Sequence, residues 1–179
     1  MKESAKKPTI DLKRLIRAIP DYPKRGIMFR DITTLLLDPQ GLRAAVDGLL
    51  LPFVNMPIDL VAGIEARGFI LGGAIAHELG KGFVPVRKKG KLPSETYQES
   101  YALEYGEATI EVHIDAFPAG ARVLIVDDVL ATGGTAAATA ELVRRAGGQV
   151  VGLSVLLELS FLNGRRRVPD VSVHALRSV

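Results

Sequence analysis

The chain should fold as an α/β domain: a doubly wound, mostly parallel sheet flanked by helices, with a small N-terminal hood and a flexible β-hairpin loop. Short apolar runs rich in β-branched residues, such as 123–126, have the composition of central parallel strands buried on both faces. These runs alternate with helical periods, which is the pattern of crossover connections and helix-covered sheets. At 179 residues and 47% hydrophobic content, the chain can bury one sizeable core. Residues 1–179 therefore read as a single domain, with about 1–35 forming the hood.

Along the chain, residues 9–19 predict an amphipathic helix, with Leu12, Leu15, Ile16 and Ile19 on one face and Pro20 as its stop. A second helix should start at Asp38-Pro39, where Asp caps and Pro suits the first turn, and should carry Leu42, Val46, Leu49 and Leu50. Residues 60–64 form a short buried strand, followed by a helix over about 68–79 and a strand near 83–86. Residues 92–100 mix Pro, Ser, Glu, Thr and Gln without a period and read as a mobile loop. Ile110, Val112 and Ile114 alternate with polar neighbours as a half-exposed strand, which can pair with 101–105 in a hairpin turning at Gly106-Glu107. A strand at 123–126, a helix at 136–145 and strands at 150–157 and 171–176 complete the alternation.

Composition excludes several classes. The +3 net charge suits an anionic small substrate as well as it suits nucleic acid, and 6% aromatic residues are too few for base-stacking platforms. No nucleic-acid partner is expected. No segment has the 18 or more apolar residues of a membrane span, and the charged start Met-Lys-Glu-Ser-Ala-Lys-Lys lacks the apolar stretch of a secretion signal. Zero cysteines exclude disulfides and fit a cytoplasmic location. His77, His113 and His174 are scattered and build no metal cluster.

The most telling stretch is 126–135, Val-Asp-Asp-Val-Leu-Ala-Thr-Gly-Gly-Thr. Asp127 and Asp128 sit where the strand should end, and Ala131, Thr132, Gly133, Gly134 and Thr135 lead into a helix. A helix start exposes unpaired N–H groups, and glycines let that backbone approach an anion closely. A phosphate held there would bring an attached sugar to the paired aspartates, whose acceptor oxygens suit a vicinal diol. A Walker loop would need Lys after its second Gly, and no G-x-G-x-x-G spacing occurs.

Three other segments are open to two readings. Glu65-Ala-Arg-Gly68 follows a strand and precedes a helix, so it suits a pyrophosphate loop with Arg67 as cation, or a plain helix start with a solvated Arg. Arg87, Lys88, Lys89 and Lys91 place four cations within five residues, enough to stabilise a pyrophosphate leaving group or to form a solvated basic loop. Glu104 is either an exposed strand residue or, partly desolvated, a proton-transfer group. Arg165, Arg166 and Arg167 read mainly as a solvated face.

The 126–135 stretch resembles the phosphoribosyl-pyrophosphate (PRPP) motif of type I phosphoribosyltransferases. The segments 20–32, 63–69, 87–93, 101–106 and 158–165 resemble, at matching spacing, those of the adenine phosphoribosyltransferases. The resemblance implies transfer of a phosphoribosyl group from PRPP to adenine, giving AMP and pyrophosphate in purine salvage. It implies Asp127 and Asp128 on the ribose hydroxyls, Ala131 to Thr135 on the 5′-phosphate, and Arg67, Arg87, Lys88 and Lys91 on pyrophosphate. It also implies Met28, Phe29, Arg30 and Leu159 around the adenine, Glu104 in catalysis, Mg²⁺ carried mainly by PRPP rather than by direct protein ligands, and a homodimer whose basic and mobile loops are anchored in part by the neighbouring subunit. A PRPP-sensing regulator, or transfer to xanthine or hypoxanthine, is the alternative.

Overall fold

Residues 10–103 and 106–179 are described by the computed structural model, and the chain divides into two units, Met1–Gly48 and Leu49–Val179. In the first unit a short 3-10 turn at Leu12–Leu15 leads into β1 (Arg17–Ile19), which pairs antiparallel with β2 (Phe29–Asp31) so that Ile19 faces Phe29. Helix α1 (Thr33–Leu37) follows, its start tied down by Asp31, which accepts from the Thr33 N–H at 2.9 Å and from its hydroxyl. Helix α2 (Pro39–Leu50) starts as expected, with the Asp38 carboxylate accepting the Gly41 N–H at 2.6 Å, and it runs on into the second unit.

The second unit is a seven-stranded sheet. Strand β3 (Leu60–Ile64) is followed by helix α3 (Arg67–Leu79), and then by β4 (Gly82–Lys88), β5 (Thr96–Ala102) and β6 (Glu107–His113). Strand β7 (Arg122–Leu130), helix α4 (Gly134–Arg145), β8 (Gln149–Glu158) and β9 (Val173–Ser178) complete it. The order is β5-β6-β4-β3-β7-β8-β9. Strands β4, β3, β7, β8 and β9 are parallel neighbours, while β6 joins β4, and β5 joins β6, antiparallel. Side chains alternate across a strand. Ile125 lies in the cluster that contains Ala138, Leu142 and Val143 of α4, and Val126 lies beside Gly72 of α3, so the two helices cover opposite faces. Because the central strands are parallel, Ile64, Lys88 and Leu130 end on one edge of the sheet, where open α/β folds bind ligands.

Five expectations need correction. The helix over 9–19 is only a four-residue 3-10 turn, capped by Asp11, because residues 17–19 are taken into a backbone ladder with β2. Local periodicity was outweighed there by strand pairing. Helix α1 was not anticipated, since five residues are too few to show a period. The irregular stretch 92–100 becomes β5 from Thr96 onward, its backbone stapled to α4 by Arg145, which donates to the Gln98 carbonyl and the Glu99 carboxylate at 2.8 Å each. The strand at 123–126 does not end at the aspartates: β7 pairs with β8 as far as Leu130 opposite Glu158. A hairpin does form, but its first strand is Thr96–Ala102 rather than 101–105, with Ala102 opposite Glu107.

Candidate active site

Strand β7 carries Asp127 and Asp128 on its last residues and then turns through 131–133 into α4. Gly133, the residue before the helix, has φ of 83°, and a side chain on it would collide with the Gly164 carbonyl oxygen. The first helical hydrogen bond runs from the Ala137 N–H to the Gly133 carbonyl at 2.9 Å, which leaves the preceding N–H groups without intrahelical acceptors. Ala131, Thr132, Gly133, Gly134 and Thr135 line a cavity of about 130 Å³ together with Asp127 and apolar residues of β7 and β8.

A second cavity of about 330 Å³ shares Asp127 and Thr135 with the first. Glu65, Ala66, Arg67, Lys88, Tyr101 and Asp128 also line it. Four sequence-predicted residues from three separate strand ends thus meet here: Arg67, Lys88, Asp127 and Asp128. The Arg67 Nε donates to Asp128 Oδ2, and the Asp128 N–H donates to Asp127 Oδ1 at 2.8 Å. Burial first, and then the Asp128 charge, push the Asp127 carboxyl well above the ordinary carboxylate range. The two aspartates are therefore unlike: burial and its neighbour's charge raise the Asp127 carboxyl, while Asp128 is paired with an arginine. The close fit of α3 on this pair needs Gly68, whose added Cβ would lie 3.1 Å from Asp127 Oδ1.

The basic loop is organised by two glutamates. The Glu65 carboxylate accepts from Arg87 Nε at 3.3 Å, from the Lys88 N–H at 3.1 Å and from Lys91 Nζ at 3.1 Å. Glu111 of β6, 2% exposed, accepts the N–H groups of Lys91 and Leu92 at 2.9 Å each. Burial tends to raise both carboxyls, but their hydrogen bonds outweigh it and hold each below its ordinary value. The expectation that this loop lacks anchorage within one chain is thus corrected: two carboxylates of the same chain hold it.

Sequence reasoning missed Glu65, Glu111 and Tyr101. The Tyr101 hydroxyl accepts from the Thr135 hydroxyl at 2.9 Å, so the hairpin touches the phosphate loop directly. No local pattern marks such contacts, because these partners lie 19 to 34 residues away in sequence. Arg165 also departs from a solvated face: it grips Glu158 with two hydrogen bonds at 2.7 and 2.8 Å and donates to the Val173 carbonyl. Arg166 and Arg167 are exposed, as expected.

The adenine candidates are divided. Met28, Phe29 and Arg30 belong to the first unit, where Phe29 meets the Tyr22 ring edge-on at 5.1 Å. Leu159 belongs to the second, half-buried just past β8, its N–H on the Leu130 carbonyl at 2.9 Å. Glu104 lies outside the described residues. Among the described residues no group of three or more His, Asp or Glu could enclose a metal ion, and no helix is long and apolar enough to cross a membrane.

A parallel sheet whose edge joins paired aspartates, a glycine-turned phosphate loop and clustered cations defines a phosphoribosyltransferase. Residues 42–175 match the family model for a phosphoribosyl transferase domain. The chain is 62% identical over 166 residues to an adenine phosphoribosyltransferase of Thermobifida fusca, covering 93% of this chain and 94% of that one. It is 60% identical over 173 residues to one from Dinoroseobacter shibae, covering 96% and 97%. The crystal structure of adenine phosphoribosyltransferase from Rhodothermus marinus matches with a TM-score of 0.90 at 59% identity, over 94% of this chain and 96% of that one. The chain belongs to the adenine phosphoribosyltransferase family.

Proposed function

We infer that this protein transfers the 5-phosphoribosyl group of PRPP to adenine, releasing AMP and pyrophosphate. The observation that carries this reading is that the two cavities share Asp127 and Thr135 in their linings, which suits a sugar between two phosphate groups. A related enzyme from Saccharomyces cerevisiae, 39% identical and with a TM-score of 0.88, has been crystallised with adenine.

In this reading a ring nitrogen of adenine forms the new bond to the anomeric carbon. The bond from that carbon to the pyrophosphate oxygen breaks, and its electron pair leaves with pyrophosphate. Ala131 to Thr135 hold the 5′-phosphate through backbone N–H groups and hydroxyls. Asp127 and Asp128 hold the ribose diol, and the Asp128 charge favours the cationic ring of the transition state. Arg67, Arg87, Lys88 and Lys91 receive the pyrophosphate. Met28, Phe29 and Arg30 are the adenine candidates of the first unit and Leu159 that of the second, and Glu104 manages the proton that the attacking nitrogen sheds.

Mg²⁺ is proposed as the cofactor. Among the described residues, Asp127 and Asp128 are the neighbouring carboxylates, with Asp128 bound to Arg67 and Glu65 engaged by the basic loop, and this donor set fits a cation carried by the substrate with only partial protein ligation. When bound, it would neutralise charge growing on the pyrophosphate. We further propose a homodimer, supported by exposed Leu51, Val54, Met56 and Ile70 in the second unit, and a cytoplasmic location, supported by a cysteine-free composition.

The test is purified protein with PRPP, Mg²⁺ and each nucleobase in turn. Rapid AMP formation from adenine is expected. PRPP binding without turnover on any base would leave only a sensing role. For Glu104→Gln, kcat should fall about 100-fold or more with PRPP binding retained, since acid–base catalysis contributes roughly 10²–10⁴-fold.

A further inference from the structure

We propose that Glu65 is a positioning residue for the pyrophosphate half of the reaction: its single carboxylate aligns Arg87, Lys88 and Lys91 toward the site. The proposal rests on the pyrophosphate reading given above for these cations.

The geometry is specific. One oxygen of Glu65 accepts both the Arg87 Nε and the Lys88 N–H, while the other takes Lys91 Nζ. Arg87 in turn donates from Nη1 to the Lys91 carbonyl at 3.0 Å, which closes the loop on itself. Glu111 seats the same turn from below through the Lys91 and Leu92 N–H groups. Glu65 is itself fixed, because its N–H donates to the Val86 carbonyl at 2.9 Å and its side chain is only 11% exposed. Four cations in five residues repel one another and would spread into water. A buried anion at their centre holds two side chains and the backbone of a third in one arrangement before substrate arrives. Lys88 gains most: its N–H is pinned by Glu65, and the residue lines the cavity. Preorganised charge of this kind lowers the ordering cost of binding a polyanion.

An opposite role can be drawn from the same contacts, in which Glu65 is a rival anion that pyrophosphate must displace. The two differ in sign. If Glu65 positions, Glu65→Ala should raise the Kd for pyrophosphate and the KM for PRPP about tenfold or more. Saturating kcat should change less than threefold, and AMP, which has no pyrophosphate, should bind as in wild type. Glu65→Gln keeps an acceptor for the Lys88 N–H, so it should fall between the two. Calorimetry with pyrophosphate and AMP, beside steady-state kinetics on the full-length protein, reads all of this. Tighter pyrophosphate binding in Glu65→Ala would overturn the proposal in favour of a rival anion. A parallel loss of AMP binding and kcat would overturn it in favour of general structural damage. Arg87→Ala separates the two levels of argument. If it leaves pyrophosphate binding unchanged, the pyrophosphate reading itself fails; if it weakens binding while Glu65→Ala does not, only the role of Glu65 falls.

Discussion

The two halves of the site are built by different means. The phosphate half is local: nine consecutive residues, Asp127 to Thr135, supply a strand end, a turn and a helix start, and most of the chemistry is backbone. The cation half is assembled at a distance. Arg67 reaches Asp128 across 61 residues, Lys91 reaches Glu65 across 26, and Glu111 fixes the loop from a neighbouring strand. A local cradle holds its shape through φ/ψ and packing, whereas a distributed one depends on carboxylates placed among the cations. Damage to the first should be a matter of steric fit, and damage to the second a matter of charge.

The largest expected effect is at Asp128, where the halves meet. Asp128→Asn should reduce kcat about 100-fold, the scale of one lost electrostatic contact in a transition state, with AMP affinity changed much less. Wild-type turnover in that variant would end the diol role. Next comes Gly133→Ala, a purely steric break. Its φ of 83° and the approach of the Gly164 carbonyl should cost about 1–3 kcal/mol, so AMP should bind roughly tenfold more weakly at any salt concentration. By contrast, the loss in Arg87→Ala should shrink as ionic strength rises. Base selectivity should follow in size: hypoxanthine presents a keto group where adenine has an amino group. Each mismatched buried pair costs roughly 1–3 kcal/mol, so competing-base assays should show about 10–100-fold preference for adenine.

The smallest effect concerns stability. The Asp127 carboxyl is raised above its ordinary value of 3.8 in the folded state. Its contribution is intact below that value and is lost as pH rises toward the folded-state value, because the unfolded chain ionises first. Asp127→Asn has no proton to lose. Thermal melting should therefore place it above wild type at pH 8, and the gap should close toward pH 4. A pH-independent gap would mean that burial does not govern this carboxyl.

How much was legible follows the same division. Strand β3 was read with its observed bounds, and α2, α3 and α4 to within two residues, because each shows a local period or a cap. The strand–turn–helix junction at 126–135 was legible because its signals are contiguous in sequence. Residues 9–19 misled because a helical stripe of four aliphatic residues also suits a short strand once β2 is available as partner. Residues 92–100 misled because β5 is an edge strand, with its burial alternating only partly and its order owed to Arg145. The glutamates were invisible for a physical reason: an isolated Glu becomes a structural anion only when folding brings cations around it.

Gly133 and Gly164 carry a consequence for how such a sequence can drift. A Cβ on Gly133 would strike the Gly164 carbonyl oxygen, and a Cβ on Gly164 would strike that of Ala131. Both obstacles are main chain, so no compensating side-chain change elsewhere can clear them. A Cβ at either position is therefore costly, and exchanging both glycines adds a clash rather than removing one. The turn after β8 and the loop after β7 therefore constrain each other as one unit, free to vary at the exposed Arg166 and least free at the two points where backbone meets backbone.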